Sequence, residues 1–99
     1  MVHKALVLLR KVPRGKVTTY GVLANITKTS PRAIGRVMRY NKDPKKYPCY
    51  KVIKSDGSIG GFGGAIKGKN IKKKVLLLRK DGIKVINEKV DKKYVYRFT

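Results

Sequence analysis

The chain carries 26 lysines and arginines against five acids over 99 residues, a formal net charge of +21 that self-repulsion makes costly unless a polyanion offsets it. Its 41% hydrophobic content supports one folded domain, 1–99, rather than disorder, and no apolar run reaches the roughly 20 residues that cross a bilayer. One cysteine with one histidine excludes an internal disulfide and a zinc site, so an intracellular chain with no metal and no cofactor is expected, in cytoplasm or nucleoid, or in a nucleus if the source is eukaryotic.

The opening MVHKALVLLRKV is broken by charge and followed by no small-residue cleavage site, which argues against a signal peptide. Val2, Ala5, Leu6, Leu9 and Val12 recur at helical spacing until Pro13 and Gly15 end the pattern. The segment KVTTYGVLANIT starts extended at Val17. Thr19 then reads as the N-cap of a short helix burying Val22, Leu23 and Ile26.

A second helix start follows at once. Ser30 is a good N-cap, and Pro31 sits at the first helical position, where its missing N–H costs nothing. The helix PRAIGRVMRYN places Ile34, Val37 and Met38 on one face and Arg32, Arg36 and Arg39 on another. Charged faces of mixed sign are usually only solvated. Three arginines on a helix without an acid favour a phosphate-facing surface instead. The first acid of the chain is Asp43, so residues 1–42 hold ten basic side chains with nothing to neutralise them. Two helices joined by TKT over about 19–41, the second one basic, make a helix-turn-helix pattern, and nucleic acid is the expected partner ahead of a ribosomal or membrane surface.

After Asn41 the chain is loop-like through KDPKKYPCY, and 47–53 forms a turn around the sole cysteine, Cys49. YKVIKSDGSIGGF reads as a β-hairpin turning at Asp56-Gly57. GGFGGAIKGKN, with five glycines in eleven residues, lacks a GKS/T or GxGxxG pattern and suits a loop shaping a pocket for a flat ligand. Ile71, Val75 and Leu78 mark a last helix closed by Gly82, and about 83–98 alternates enough for a terminal hairpin turning near Asn87-Glu88. The fold class expected is mainly α with a small β component: a winged helix-turn-helix-like domain with four helices and short hairpins.

PRGKVTTYGVLA, then SPRAIGRVMRYN, then PCYKVI eight residues past that asparagine, and finally LLLRKDG, resemble the catalytic domain of O6-alkylguanine-DNA alkyltransferases over residues 2–82. The resemblance implies a monomeric direct-reversal repair protein that binds double-stranded DNA through the minor groove. Such a protein flips O6-alkylguanine out of the stack and takes the alkyl group irreversibly onto its own cysteine, here Cys49. By the same resemblance Arg32 fills the vacated stack, Ala33 and Gly35 allow close approach to the groove, and Tyr20 crowds the phosphate to turn the nucleotide outward. Val52 offers its carbonyl to the guanine amino group, Gly63 offers its amide to O6, and Asn41 ties the recognition helix to the active-site turn. The N-terminal domain that many members carry is not expected. Two alternatives stand beside this reading: a damage-sensing relative that binds without transfer, and a helix-turn-helix regulator.

One departure concerns the chemistry. The family's proline-cysteine-histidine-arginine-valine becomes PCYKV, so Tyr50 stands where a histidine relays the thiol proton toward a glutamate, and Asp81 stands at the glutamate. A phenol with a pKa near ~10 is a poor base at neutral pH. A thiol near its reference of ~8.5 is only a few per cent ionised there. Lys51, Lys46 and the overall positive field are the cations expected to favour the thiolate, while His3 lies too early in the chain to serve.

Overall fold

The computed structural model describes residues 3–43, 45–59 and 69–98, with 69 and 70 described by their backbone alone. Helix α1 spans Lys4–Leu9, where Nδ1 of His3 accepts from the Ala5 N–H at 3.0 Å and caps the helix. Ala5 and Leu9 are buried, as is Val12 beyond the helix end. Strand β1 is the dipeptide Thr18–Thr19 and leads directly into α2, Tyr20–Thr27. The hydroxyl of Thr19 accepts from the Val22 N–H at 3.0 Å, the capping bond expected of it. Leu23 and Ala24 form the buried face of α2, whereas Ile26 is exposed and Val22 only half-buried. A helix of eight residues buries one narrow stripe, and Ile26 falls outside it.

Lys28 ends α2 in the left-handed region at φ 58°, and Ser30 caps α3, Pro31–Arg39, by accepting from the Ala33 N–H at 3.1 Å. The two helices pack as a helix-turn-helix around Leu23, Ala24, Ile34 and Met38. A 3-10 turn, Cys49–Lys51, follows the long connection and passes into strand β2, Val52–Ile53.

The expected hairpin over 50–62 is not how β2 is paired. It lies parallel to β1, with Thr18 opposite Val52 and Thr19 opposite Ile53. The turn at Asp56-Gly57 does form, the Lys54 N–H donating to Ser58 O at 2.9 Å. Beyond it Ser58 bridges to Lys89, and the Ile59 N–H donates to Glu88 O at 3.0 Å. The physical reason lies in burial. Val52 and Ile53 are both fully buried, so the strand needs cover on both faces, and the place beside β1 provides it, with Val52 packed in one core cluster and Ile53 in another.

Helix α4, Lys69–Lys80, ends at Gly82, whose φ of 87° lets the Ile83 N–H turn back to Leu78 O at 3.1 Å. The tail forms the expected terminal hairpin, but over fewer residues. β3, Val85–Ile86, and β4, Lys89–Val90, pair antiparallel around Asn87 and Glu88, both at positive φ. After a 3-10 turn at Lys92–Tyr94 the chain runs along Val17, whose N–H donates to Tyr94 O at 2.8 Å and whose carbonyl accepts from the Tyr96 N–H at 2.6 Å. Among the described residues, four α-helices with two short two-stranded sheets agree with the fold class read from the sequence. Among the described residues no helix is long and apolar enough to cross a membrane.

Among the described residues two core clusters result. Ala5, Leu9, Leu23, Ala24, Ile34, Met38, Cys49 and Val52 form the helical one; Val17, Ile53, Ile59, Ile71, Leu78, Ile83, Val85 and Val90 form the other. Strand β2 joins them by alternation, Val52 pointing to the first and Ile53 to the second. Gly57 clips the terminal hairpin to this joint, its carbonyl accepting from the Val90 N–H at 2.8 Å. Its φ is +93°, and an added Cβ would stand 2.8 Å from Val90 O. Gly57→Ala is therefore expected to cost about 1–3 kcal/mol of stability, read as a lower urea midpoint at unchanged slope.

Candidate active site and nucleic-acid interface

Cys49 opens the 3-10 turn and is 8% exposed, packed in the helical cluster with Ile34 and Met38 of α3. Its backbone is tied to the same helix. The side-chain amide of Asn41, just past α3, donates to Tyr47 O at 2.7 Å, and Cys49 N–H donates to the same carbonyl at 2.7 Å. Thiol and helix thus form one rigid unit. Tyr20, at the start of α2, packs against this cluster. Its phenol is pushed above the usual range, first by burial and then by a negative charge at Cys49. Tyr20 therefore stays protonated beside the sulfur. The structure brings together Cys49, Tyr20, Asn41 and Val52; Gly63 and the rest of the glycine loop lie outside the described residues.

Tyr50 and Asp81 are near one another but joined by no hydrogen bond among the described residues. The Tyr50 hydroxyl is pushed up by burial, then by the negative charge of Asp81, with Arg14 opposing. It holds its proton too firmly to act as a base. Asp81 is engaged elsewhere: its Oδ2 accepts from Lys51 Nζ at 2.7 Å and from the Gly15 N–H at 3.0 Å. Lys51 Nζ also donates to Pro13 O at 3.0 Å and Lys16 O at 3.4 Å. This corrects the expectation that Lys51 serves the thiol. Its side chain runs the other way and bolts the 13–16 loop to the end of α4.

The cation missed by sequence reading is Lys74. It lies on the buried stripe of α4 with Ile71 and Leu78 and is fully withdrawn from solvent. Nζ donates to Val52 O at 2.7 Å and to Ile59 O. Burial lowers its pKa to about 8, and a negative charge at Cys49 works in the opposite direction. The sequence offered a signal of sorts: Lys74 occupies an apolar position of the Ile71–Leu78 repeat.

On the far side of α3, Arg32, Arg36 and Arg39 are exposed, and the only ion pair among the described residues is Lys51–Asp81. Ala33 and Gly35 lie between these arginines and are half-buried. A methyl group added at Gly35 would meet nothing within 4 Å, so packing inside the protein does not require a glycine there. A cavity of about 580 Å³ lies beside this helix, between His3 and Leu6 of the α1 end and Val37, Tyr40 and Tyr47. Neither Cys49, Tyr20 nor Val52 lines it.

Residues 1–83 match the family described as 6-O-methylguanine DNA methyltransferase, DNA binding domain. The chain belongs to this family. A methylated-DNA–protein-cysteine methyltransferase of Pyrobaculum aerophilum is 44% identical over 75 residues, which cover 76% of this chain and 49% of that protein. A bifunctional methyltransferase/endonuclease of Picrophilus torridus is 44% identical over 93 residues, 92% of this chain and 29% of that protein. The chain thus spans half the length, or less, of these curated relatives. Among solved structures, O6-methylguanine-DNA methyltransferase of Pyrococcus kodakaraensis KOD1 superposes with a TM-score of 0.69 at 41% identity, over 81% of this chain and 44% of that one. S. pombe Atl1, crystallised with DNA containing O6-carboxymethylguanine, shares the fold at a TM-score of 0.81 and 22% identity, over 94% of this chain and 91% of that one. The family match ends at residue 83, and the terminal hairpin with the segment running along Val17 follows it.

The Lys51–Asp81 pair is nearly buried, at 6% and 11% side-chain exposure. Removing one partner leaves a buried charge uncompensated. Lys51→Met is expected to cost about 3–5 kcal/mol in urea unfolding, and Lys51→Met with Asp81→Asn to cost clearly less than the sum of the single changes.

Proposed function

We propose that the chain is a direct-reversal DNA repair protein, a stoichiometric methylated-DNA–protein-cysteine S-methyltransferase acting as a monomer. It binds duplex DNA from the minor groove, turns O6-alkylguanine out of the stack and accepts the alkyl group on Cys49. The observation that carries this reading is the rigid connection of the only cysteine to the helix whose exposed face holds Arg32, Arg36 and Arg39. Family membership and 44% identity to a relative so named support it.

Extrusion comes first, because a stacked base shields its alkyl carbon from any side chain. Arg32 fills the vacated space, Arg36 and Arg39 hold phosphates, and Ala33 with Gly35 keeps the helix close to the groove. Tyr20 holds the nucleotide turned outward. Val52 offers its carbonyl to the guanine amino group; one lone pair is engaged by Lys74, and the second is available. Gly63, in the role the resemblance implies, offers its amide to O6.

The chemical step is an in-line displacement. The Cys49 thiol gives up its proton, the sulfur lone pair forms the S–C bond, and the C–O6 bond breaks with its electron pair remaining on the base. Guanine takes up one proton from solvent, so charge balances. The thioether is not reversed by water, and each molecule reacts once.

An oligonucleotide containing O6-methylguanine is expected to add about 14 mass units to the intact protein, located on Cys49, and Cys49→Ala is expected to bind without transfer. Unchanged mass with tight binding establishes the second reading, a damage sensor. That reading draws on Tyr50, which cannot serve as the family histidine does. Arg32→Ala is expected to slow transfer on duplex DNA far more than reaction with free O6-benzylguanine. Arg36→Ala or Arg39→Ala should weaken binding to every sequence and reduce the salt slope by roughly 0.9 for each phosphate no longer neutralised. Equal effects of Arg32→Ala on both substrates would remove it from extrusion.

A further inference from the structure

Beyond residue 83, where the family match ends, Lys84, Lys89, Lys92, Lys93 and Arg97 stand against Glu88 and Asp91. Three of these lysines converge from separate pieces of chain. Lys84 before β3, Lys89 on β4 and Lys93 in the last 3-10 turn line one groove of about 280 Å³, with Ile86 and Tyr94 beside them. A single carboxylate, Asp91, lines it too and accepts from the Lys93 N–H at 2.9 Å. The three lysines are exposed, and none is in an ion pair among the described residues. Lys16 Nζ joins them by donating to Lys93 O at 3.2 Å, and Lys54 acts together with Lys89 on Asp56 at the adjoining corner. Val85 and Val90 are buried in the second core cluster and anchor the hairpin, so the groove has a fixed frame.

This surface is not the one that α3 presents. Ile34 and Met38 of α3 belong to the helical cluster, Val85 and Val90 to the other, and β2 joins the two clusters between them. A straight duplex held on α3 therefore leaves the lysine groove, on the far side of the core, without a counter-charge. Lysines supply compact point charges that suit phosphates and read no base edges. Duplex DNA is the phosphate polymer that binding at α3 itself brings near, at a high effective concentration for any second site on the same molecule. We propose that the groove of the terminal hairpin is a second phosphate-binding site that takes duplex DNA, so that one molecule bridges two duplex segments. This inference rests on α3 being a DNA-binding face and is independent of alkyl transfer to Cys49.

The test mixes the full chain at low salt with two duplexes of about 14 base pairs, each ~48 Å long at 3.4 Å per pair, one carrying a donor dye and the other an acceptor. Energy transfer is expected, together with a complex of one protein and two duplexes in native mass spectrometry. Changing Lys84, Lys89 and Lys93 to Gln together should weaken capture of the second duplex by about tenfold or more. The salt slope of that capture should fall by roughly 2–3, at about 0.9 for each phosphate no longer neutralised, and Lys93→Gln alone should carry about a third of the change. Binding of the first duplex and methyl addition from an O6-methylguanine oligonucleotide should stay as in wild type. Lys4→Gln, Lys11→Gln and Lys72→Gln together remove the same charge from other exposed positions and should leave bridging in place. A wild-type complex that stops at one duplex, a bridged complex containing two protein molecules, or bridging that survives in the hairpin variants would each overturn the proposal. So would a preference of the second site for duplex RNA over duplex DNA. Bridging without methyl addition would leave this inference standing while the repair reading fell. Methyl addition without bridging would do the reverse.

Discussion

The contact on which the arrangement of this domain depends is the ion pair between Lys51 and Asp81. Three remote pieces of chain meet there: the loop before β1, through Pro13, Gly15 and Lys16; the turn that begins at Cys49; and the C-terminal end of α4. Arg14 adds a longer bond to Lys80 O at 3.4 Å. Each partner alone would be a costly buried charge, so the two elements can close only together. The pairing also sets the start of β1, and through it the parallel register with β2 that points Val52 toward the helices and Ile53 toward α4.

Charge is distributed around this frame with a clear division. The exposed arginines of α3 have no acidic partner among the described residues, while Asp43, Asp56 and Asp91 are spent locally. Asp56 accepts from the Ser58 N–H and hydroxyl, and that bonding holds its carboxyl below the usual range. Asp91 caps the last 3-10 turn by accepting from the Lys93 N–H, and Asp43 accepts from the Lys46 N–H in the connection after α3. Carboxylates thus stabilise turns and leave the helix-turn-helix face positive. A face built that way binds phosphates by releasing counterions, without a base contact.

Much of this was legible in the sequence because it is local. Thr19 and Ser30 announce their helices by chemistry that acts within three residues, Gly82 and Asn87-Glu88 mark positions needing positive φ, and the Ile34–Met38 stripe follows from the helical period. The order of the three motifs was enough to place Cys49, Asn41 and Tyr20 in one neighbourhood. What escaped is long-range. The partner of β2 is 34 residues away in sequence, and no pattern in YKVIKSDG distinguishes a hairpin strand from one buried beside β1. Lysine escaped for another reason: a lysine in a basic chain reads as surface, and the sequence alone does not reveal which of them a carbonyl or a carboxylate has drawn inside. Among the described residues these are Lys51 and Lys74.

Lys51 and Lys74 differ in the partners that their ammonium groups meet. A lysine facing a carboxylate at 2.7 Å forms a near-neutral pair whose field falls off quickly, so Lys51 offers little to a sulfur on the opposite side of the turn. Lys74 instead donates to the carbonyls of Val52 and Ile59, which carry no formal charge. Substituting histidine at Tyr50 alone would therefore not rebuild the family's relay. The carboxylate that would complete it is already held by Lys51 and by the Gly15 amide, and releasing it would mean opening the contact that aligns β1 with β2.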